Sequence, residues 1–134
     1  MAEPATALMI MPSLVMGGII GLIELIFVHA DERGMGWFMH GLHALPVTII
    51  FVFVSMNVGW ALNIANIGIT ENMWVDLGVR AGIAILAMLK IAGAAAIAGK
   101  VGEKFIHTVM IGGLIFAAPY AWIVIGPLMP PFLQ

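Results

Sequence analysis

The side chains with the widest chemical range in this sequence are four histidines, at positions 29, 40, 43 and 107. His40 and His43 are three residues apart, so on a helix they share a face and could reach one ion together. Imidazole and carboxylate suit zinc, copper, iron or nickel; Glu24, Asp31, Glu32 and Glu103 are nearby, and Met35 and Met39 would add soft donors for Cu(I). His40 or His43 could also face His107 at matching depth and hold a haem between two helices. The spacing follows neither HExxH nor CxxCH. Cu/Zn and haem are therefore chemistries these residues allow, beside a plainer role in anchoring helix ends at a membrane surface and a third in sensing pH.

Glu24 and Lys90 lie inside otherwise apolar stretches. A charge at the centre of a bilayer costs about 2.5–3.5 kcal/mol on insertion scales, so such residues turn inward and find partners. The two fall in adjacent depth layers, which predicts an interior ion pair, direct or bridged by water. Such a pair would fix helix register or relay protons or ions.

A third set is polar but uncharged. At about 100° per residue, Thr48, Ser55, Gly59 and Asn66 fall within about 40° of one another, with Asn63 beside them. Amides lose hydrogen bonds against lipid, so this line should face the bundle or a neighbouring subunit, as packing glue or as a hydrated path. Asn57 points to the opposite side of the same helix. If it too avoids lipid, both faces of that helix meet protein, which favours an oligomer or a larger complex.

Other chemistry is poorly represented. Ser13 and Ser55 have no histidine at matching depth, so no nucleophile–base–orienter group emerges, and no GxxxxGK[ST] loop occurs. The chain has no cysteine, which excludes disulfides and thiolate metal sites. Five lysines and arginines, with a net charge of -2, offer no basic stripe for nucleic acid.

The elements that carry these residues follow from composition. Of 134 residues, 63% are hydrophobic and 9% charged, where soluble domains carry about 25% charged. So short a chain cannot bury that much apolar surface in water, and the bilayer must solvate it. Four segments approach the roughly 20 apolar residues that a spanning helix requires: Ala7–Val28, Leu42–Ile69, Leu77–Ala98 and Ile106–Leu128. The segment before the first span lacks a positive n-region, so that span reads as a retained helix. The expected fold is an all-α integral membrane protein, a single up-down bundle of four transmembrane helices.

The breaks are short and polar: His29–Gly34, Thr70–Asp76 with Asp76 as helix cap, and Gly99–Lys104. Pro119 should kink the fourth span, which membrane helices tolerate when a neighbour satisfies the freed carbonyl. Gly17 with Gly21, Gly113 with Ala117, and Gly78 with Gly82 supply small residues for close helix approach. The third span is small-residued all round and should be packed against protein on most sides. Arg33, Lys100 and Lys104 against Arg80 put the first and third connections in the cytoplasm and both termini outside, in the cell membrane.

Three functions follow. The first is a small non-catalytic subunit that assembles with copies of itself or with other membrane subunits. The second is an oligomeric ion or proton channel, or small transporter, using Glu24 and Lys90. The third is a metal- or haem-binding redox subunit using the one-sided histidines.

Overall fold

The computed structural model describes residues 8–32, 34, 36–67, 72–97 and 104–134. Among these the chain is helical throughout, with α1 (Ile10–Asp31), α2 (Trp37–Met56), α3 (Val58–Ile64), α4 (Met73–Ile97) and α5 (Phe105–Ile125), then two 3-10 turns. Three helical stretches, Ile10–Asp31, Trp37–Met56 and Phe105–Leu128, are long and apolar enough to cross a membrane. Expected connection residues Thr70, Glu71 and Gly99 to Glu103, and with them Arg33, Lys100 and the soft donor Met35, lie outside the described residues.

Two hairpins build the bundle. α1 packs antiparallel on α2, and α4 packs on α5. Between them sits a core of Met16, Ile20, Val52, Ala87, Ile111 and Ile115. Leu22, Ile26, Ile50, Ile123 and Val124 point outward and are exposed, an apolar surface compatible with contact to acyl chains.

Glycines set how closely the helices approach. A Cβ on Gly17 would sit 3.0 Å from Cα of Ile49, and one on Gly21 would sit 2.9 Å from a Leu45 methyl. The expected Gly17–Gly21 face is therefore a true contact. On α5 the tight position is Gly112, against Met88, rather than Gly113, which faces open space. Gly78, Gly82 and Gly93 on α4 also have nothing within 4 Å. Within this chain α4 is an edge helix with Ile85, Leu86 and Leu89 exposed, not the surrounded one that its small residues suggest.

The second expected span is broken. The backbone ladder of α2 ends where Asn57 N–H donates to Phe53, and resumes where Ala61 N–H donates to Asn57. Asn57 is the cause. Its amide nitrogen donates back to the Phe53 carbonyl at 2.8 Å and across to Ser13 Oγ at 3.0 Å, while its Oδ1 accepts from Met9 N–H at 2.7 Å. A side chain that bonds its own preceding turn competes with the helix, and a tether to a second helix fixes the result.

The break and the proline converge on Ser55. Interrupting the ladder leaves the Ser55 carbonyl without the Gly59 N–H, and an Arg80 guanidinium nitrogen donates to it instead. Pro119 brings no N–H to the Ile115 carbonyl one turn earlier, and Ser55 Oγ donates to that oxygen at 2.8 Å. The neighbour expected to satisfy that freed carbonyl is thus Ser55. Ser55→Ala is expected to cost about 1–2 kcal/mol, since it strands a buried acceptor. In the Pro119→Ala background the same change should cost less than half as much, because an N–H is restored to Ile115. A double-mutant cycle by denaturant unfolding in micelles measures this, and full additivity would refute the assignment.

One cap differs from expectation. Asn72, not Asp76, caps α4, accepting from Trp74 N–H at 2.9 Å. Asp76 instead takes Arg80 in a two-point bond, 2.7 and 2.8 Å.

Candidate functional site

At the end of the bundle where α1 leads into α2, the ionisable side chains gather. His29 closes the last turn of α1, and His40 lies in the first turn of α2. Their Nδ1 atoms are 3.1 Å apart, so one ring donates a hydrogen bond to the other. His40 is fully buried, and its Nε2 lies 3.8 Å from the Glu32 carboxylate. His29 stacks on Trp37 at 3.7 Å between centroids, which holds its ring against the start of α2. Gly34, at φ +105°, makes the turn that brings the two histidines together.

Glu24 lies deeper in the same seam. It is 3% exposed, on the α1 face that also carries Gly17 and Gly21. Gly21 meets Leu45, and Leu25 approaches Gly41, so Glu24 is level with the Gly41–Ala44 turn of α2. That is about 7.5 Å further into the bundle than His29, at 1.5 Å per residue. Lys90, expected in the interior beside it, stands exposed on α4. About 10 Å of helix separates it from Ile97, within the range over which a lysine stem lifts its charge toward a membrane surface.

A second cluster adjoins the first. The Asp31 carboxylate, 2% exposed, accepts from the Lys104 backbone N–H at 2.9 Å and from His107 Nδ1 at 2.6 Å, with the Lys104 ammonium 3.4 Å away. The last residue of α1 therefore caps the first turn of α5, where the helix dipole favours an anion. His107 is also stacked on Phe27 at 4.2 Å.

The histidines thus divide into a His29–His40 pair and an Asp31–His107 pair. His43 joins neither: it is exposed, and its ring bonds the Met39 carbonyl one turn back. The shared face expected of His40 and His43 is split between interior and surface. Among the described residues no three His, Asp or Glu side chains converge as a metal-holding group.

The polar line of the second span also divides. Thr48 and Ser55 are buried, with Thr48 bonded to the Ala44 carbonyl within its own helix. Asn63 and Asn66 are exposed beyond the break. Asn66 adopts φ +54° and ends α3 in a Schellman turn: Ile67 N–H reaches Leu62, and Asn66 N–H reaches Asn63. It is a helix stop rather than a packing residue. Asn57, expected to seek a second protein surface, is satisfied by α1 of its own chain, so that reason for an oligomer falls away.

Arg80 is the residue whose importance composition hides. Beyond Asp76 and Ser55, its guanidinium lies 5.8 Å from the Tyr120 ring centroid, so it ties α2, α4 and α5 together. A lone arginine near a helix start reads as a topology signal; only the broken ladder beside it reveals the acceptor. In comparisons the chain matches no family model, no curated protein and no solved structure.

Proposed function

We propose that this chain is a small non-catalytic membrane subunit of four spanning helices that works by associating with other copies of itself. α4 is the fourth span. Its 25 residues reach about 37 Å, more than a bilayer core requires, and Asp76 and Arg80 neutralise each other near its start.

The observation that carries the reading is the outward face of α4. Gly78, Gly82, Ile85, Leu89 and Gly93 follow one another at helical spacing, with Lys90 at the edge of this stripe. The glycines on it meet nothing in their own chain. In lipid, notches of this kind are where another helix packs, because close van der Waals approach replaces the hydrophobic drive available in water. A homo-oligomer is also the cheapest way for so small a bundle to cover that face, since an identical notch is always at hand.

The absence of cysteine from the sequence makes a clean test. A single cysteine at Leu86, beside the stripe, is expected to cross-link two copies in native membranes under mild oxidation. A cysteine at Ile123, exposed on α5, should not. Equal cross-linking at both positions, or a purely monomeric particle in mild detergent, would remove the support for self-association. A set of larger co-purifying proteins in place of self-association would instead assign α4 to a heteromeric complex.

A further inference from the structure

Lys90 is a cation on the outward face of α4, with the exposed side chains of Leu86 and Leu89 beside it. At about 100° per residue these three and Gly93 fall within about 100° of one another, so they share one side of the helix. Among the described residues Lys90 takes part in no ion pair: Asp31 engages Lys104 and His107, Glu32 lies by His40, and Asp76 engages Arg80. We propose that this face of α4 binds an anionic phospholipid, with Lys90 on the phosphate and Leu86 and Leu89 along the acyl chains. The inference rests on α4 being the fourth span and needs no self-association.

Depth is what calls for an anion. The 25 residues of α4 reach about 37 Å, so a helix centred on a core of about 30 Å overshoots it by about 3–4 Å at each end. Lys90, about 10 Å before Ile97, then has its Cα about 7 Å beneath the hydrocarbon boundary. Side chains on a helix lean toward its N-terminus, and from Lys90 that direction leads into the bilayer. The lysine stem must bend back to rise, and its ammonium stops near the boundary rather than out among water and headgroups. An ammonium held there is costly unless an anion meets it, and lipid phosphates form the nearest layer of anions. A small local thinning of the bilayer brings one down to it.

The surrounding residues fit a lipid rather than a soluble anion. Leu86 and Leu89 lie on the bilayer-centre side of Lys90, where the acyl chains run once the phosphate meets the ammonium. Gly93 lies one turn outward, and a Cβ there would meet nothing within 4 Å, so the route from the ammonium to the headgroup layer is open. A second copy of the chain supplies no anion at this position. Rotation about an axis along the membrane normal brings the partner's Lys90 to the same depth, cation beside cation. An anionic lipid at the rim of such a contact offsets that repulsion, so lipid binding and self-association are compatible.

The test places the full chain, 15N-labelled at lysine Nζ, in bilayers of digalactosyldiacylglycerol, a lipid without phosphorus. Phosphatidylglycerol is added in steps, and 15N–31P dipolar dephasing in solid-state NMR reports the contact of each lysine with phosphate. Lys90→Met, a change at an exposed side chain, assigns the Lys90 signal by its loss. The expected result is dephasing of Lys90 Nζ to contact distance, with a preference for phosphatidylglycerol over the host lipid of about five-fold, read from the mole fraction at half-effect. A parallel sample holds inorganic phosphate in the buffer and no phosphatidylglycerol, and Lys90 should show no contact there. No dephasing with phosphatidylglycerol, or dephasing that merely follows its mole fraction, would overturn the site. Contact with inorganic phosphate as strong as with the lipid would overturn it too, and would place Lys90 in water, against α4 as a span. Cross-linking through Leu86→Cys in the same bilayers reads self-association separately, so the two readings fail by different signals.

Discussion

Replacing Asn57 by leucine is expected to lower the unfolding free energy by about 2–4 kcal/mol, one of the two largest losses for a single side chain in this bundle. Asn57 is 4% exposed and makes three hydrogen bonds, two of them to α1 and the residue before it. Leucine leaves the Met9 N–H, one of the donors at the start of α1, without its acceptor, and takes the amide from Ser13. It also removes the competitor that stops α2, so the ladder can run on through residue 57. A continuous helix would return the Ser55 carbonyl to its own backbone partner and detach Arg80 from it.

The loss should therefore reach α4 as well as α1. Reversible unfolding in mixed micelles gives the magnitude, and hydrogen exchange at residues 58–61 reports whether the ladder has closed. Ser13→Ala should cost less, because the Met9 carbonyl keeps the Ser13 backbone N–H and the Asn57 amide keeps the Phe53 carbonyl. A loss under about 1 kcal/mol for Asn57→Leu, with exchange unchanged, would show that the break has another cause.

The same residue shows what was legible in the sequence. Length and hydropathy are properties of a segment by itself, so the spans at Ile10–Asp31 and Phe105–Leu128 could be located to within a few residues. Asn57 could not be understood that way, because its partners lie 44 and 48 positions earlier and only the packing of α1 on α2 brings them near. Helical spacing put Asn66 on a face with Thr48 and Ser55, but that projection assumes an unbroken helix, and the break at Asn57 cancels it. The pairing of His29 with His40 depends on the register set by the turn at Gly34, whereas i, i+3 spacing pointed to His40 with His43. Spacing along the sequence assigned Lys90 and Glu24 to neighbouring depths, but depth does not fix which way a helix faces. α4 turns its lysine outward.

Gly17 and Gly18 give a sharp contrast, because they are adjacent and only the first faces a neighbouring helix. Gly17→Ala is expected to destabilise the bundle by about 1–3 kcal/mol, the usual cost of forcing a methyl into a filled contact. Its Cβ would lie 3.0 Å from Cα of Ile49 and 3.1 Å from Cγ1, and the first of these is backbone, so no rotamer change makes room. The helices must part instead, and the His29–His40 contact lies along the same seam.

Gly21→Ala should cost less, since its close neighbour at 2.9 Å is a leucine methyl that can swing aside. Gly18→Ala has nothing within 4 Å to meet, and removing a helix glycine there should leave stability unchanged or raise it by up to about 1 kcal/mol. Unfolding midpoints should accordingly rank Gly17→Ala lowest, then Gly21→Ala, then the unmodified chain and Gly18→Ala. If the first and last of these were equally stable, α1 and α2 would not approach at Gly17. The seam that positions Glu24, His29 and His40 would then have to be drawn differently.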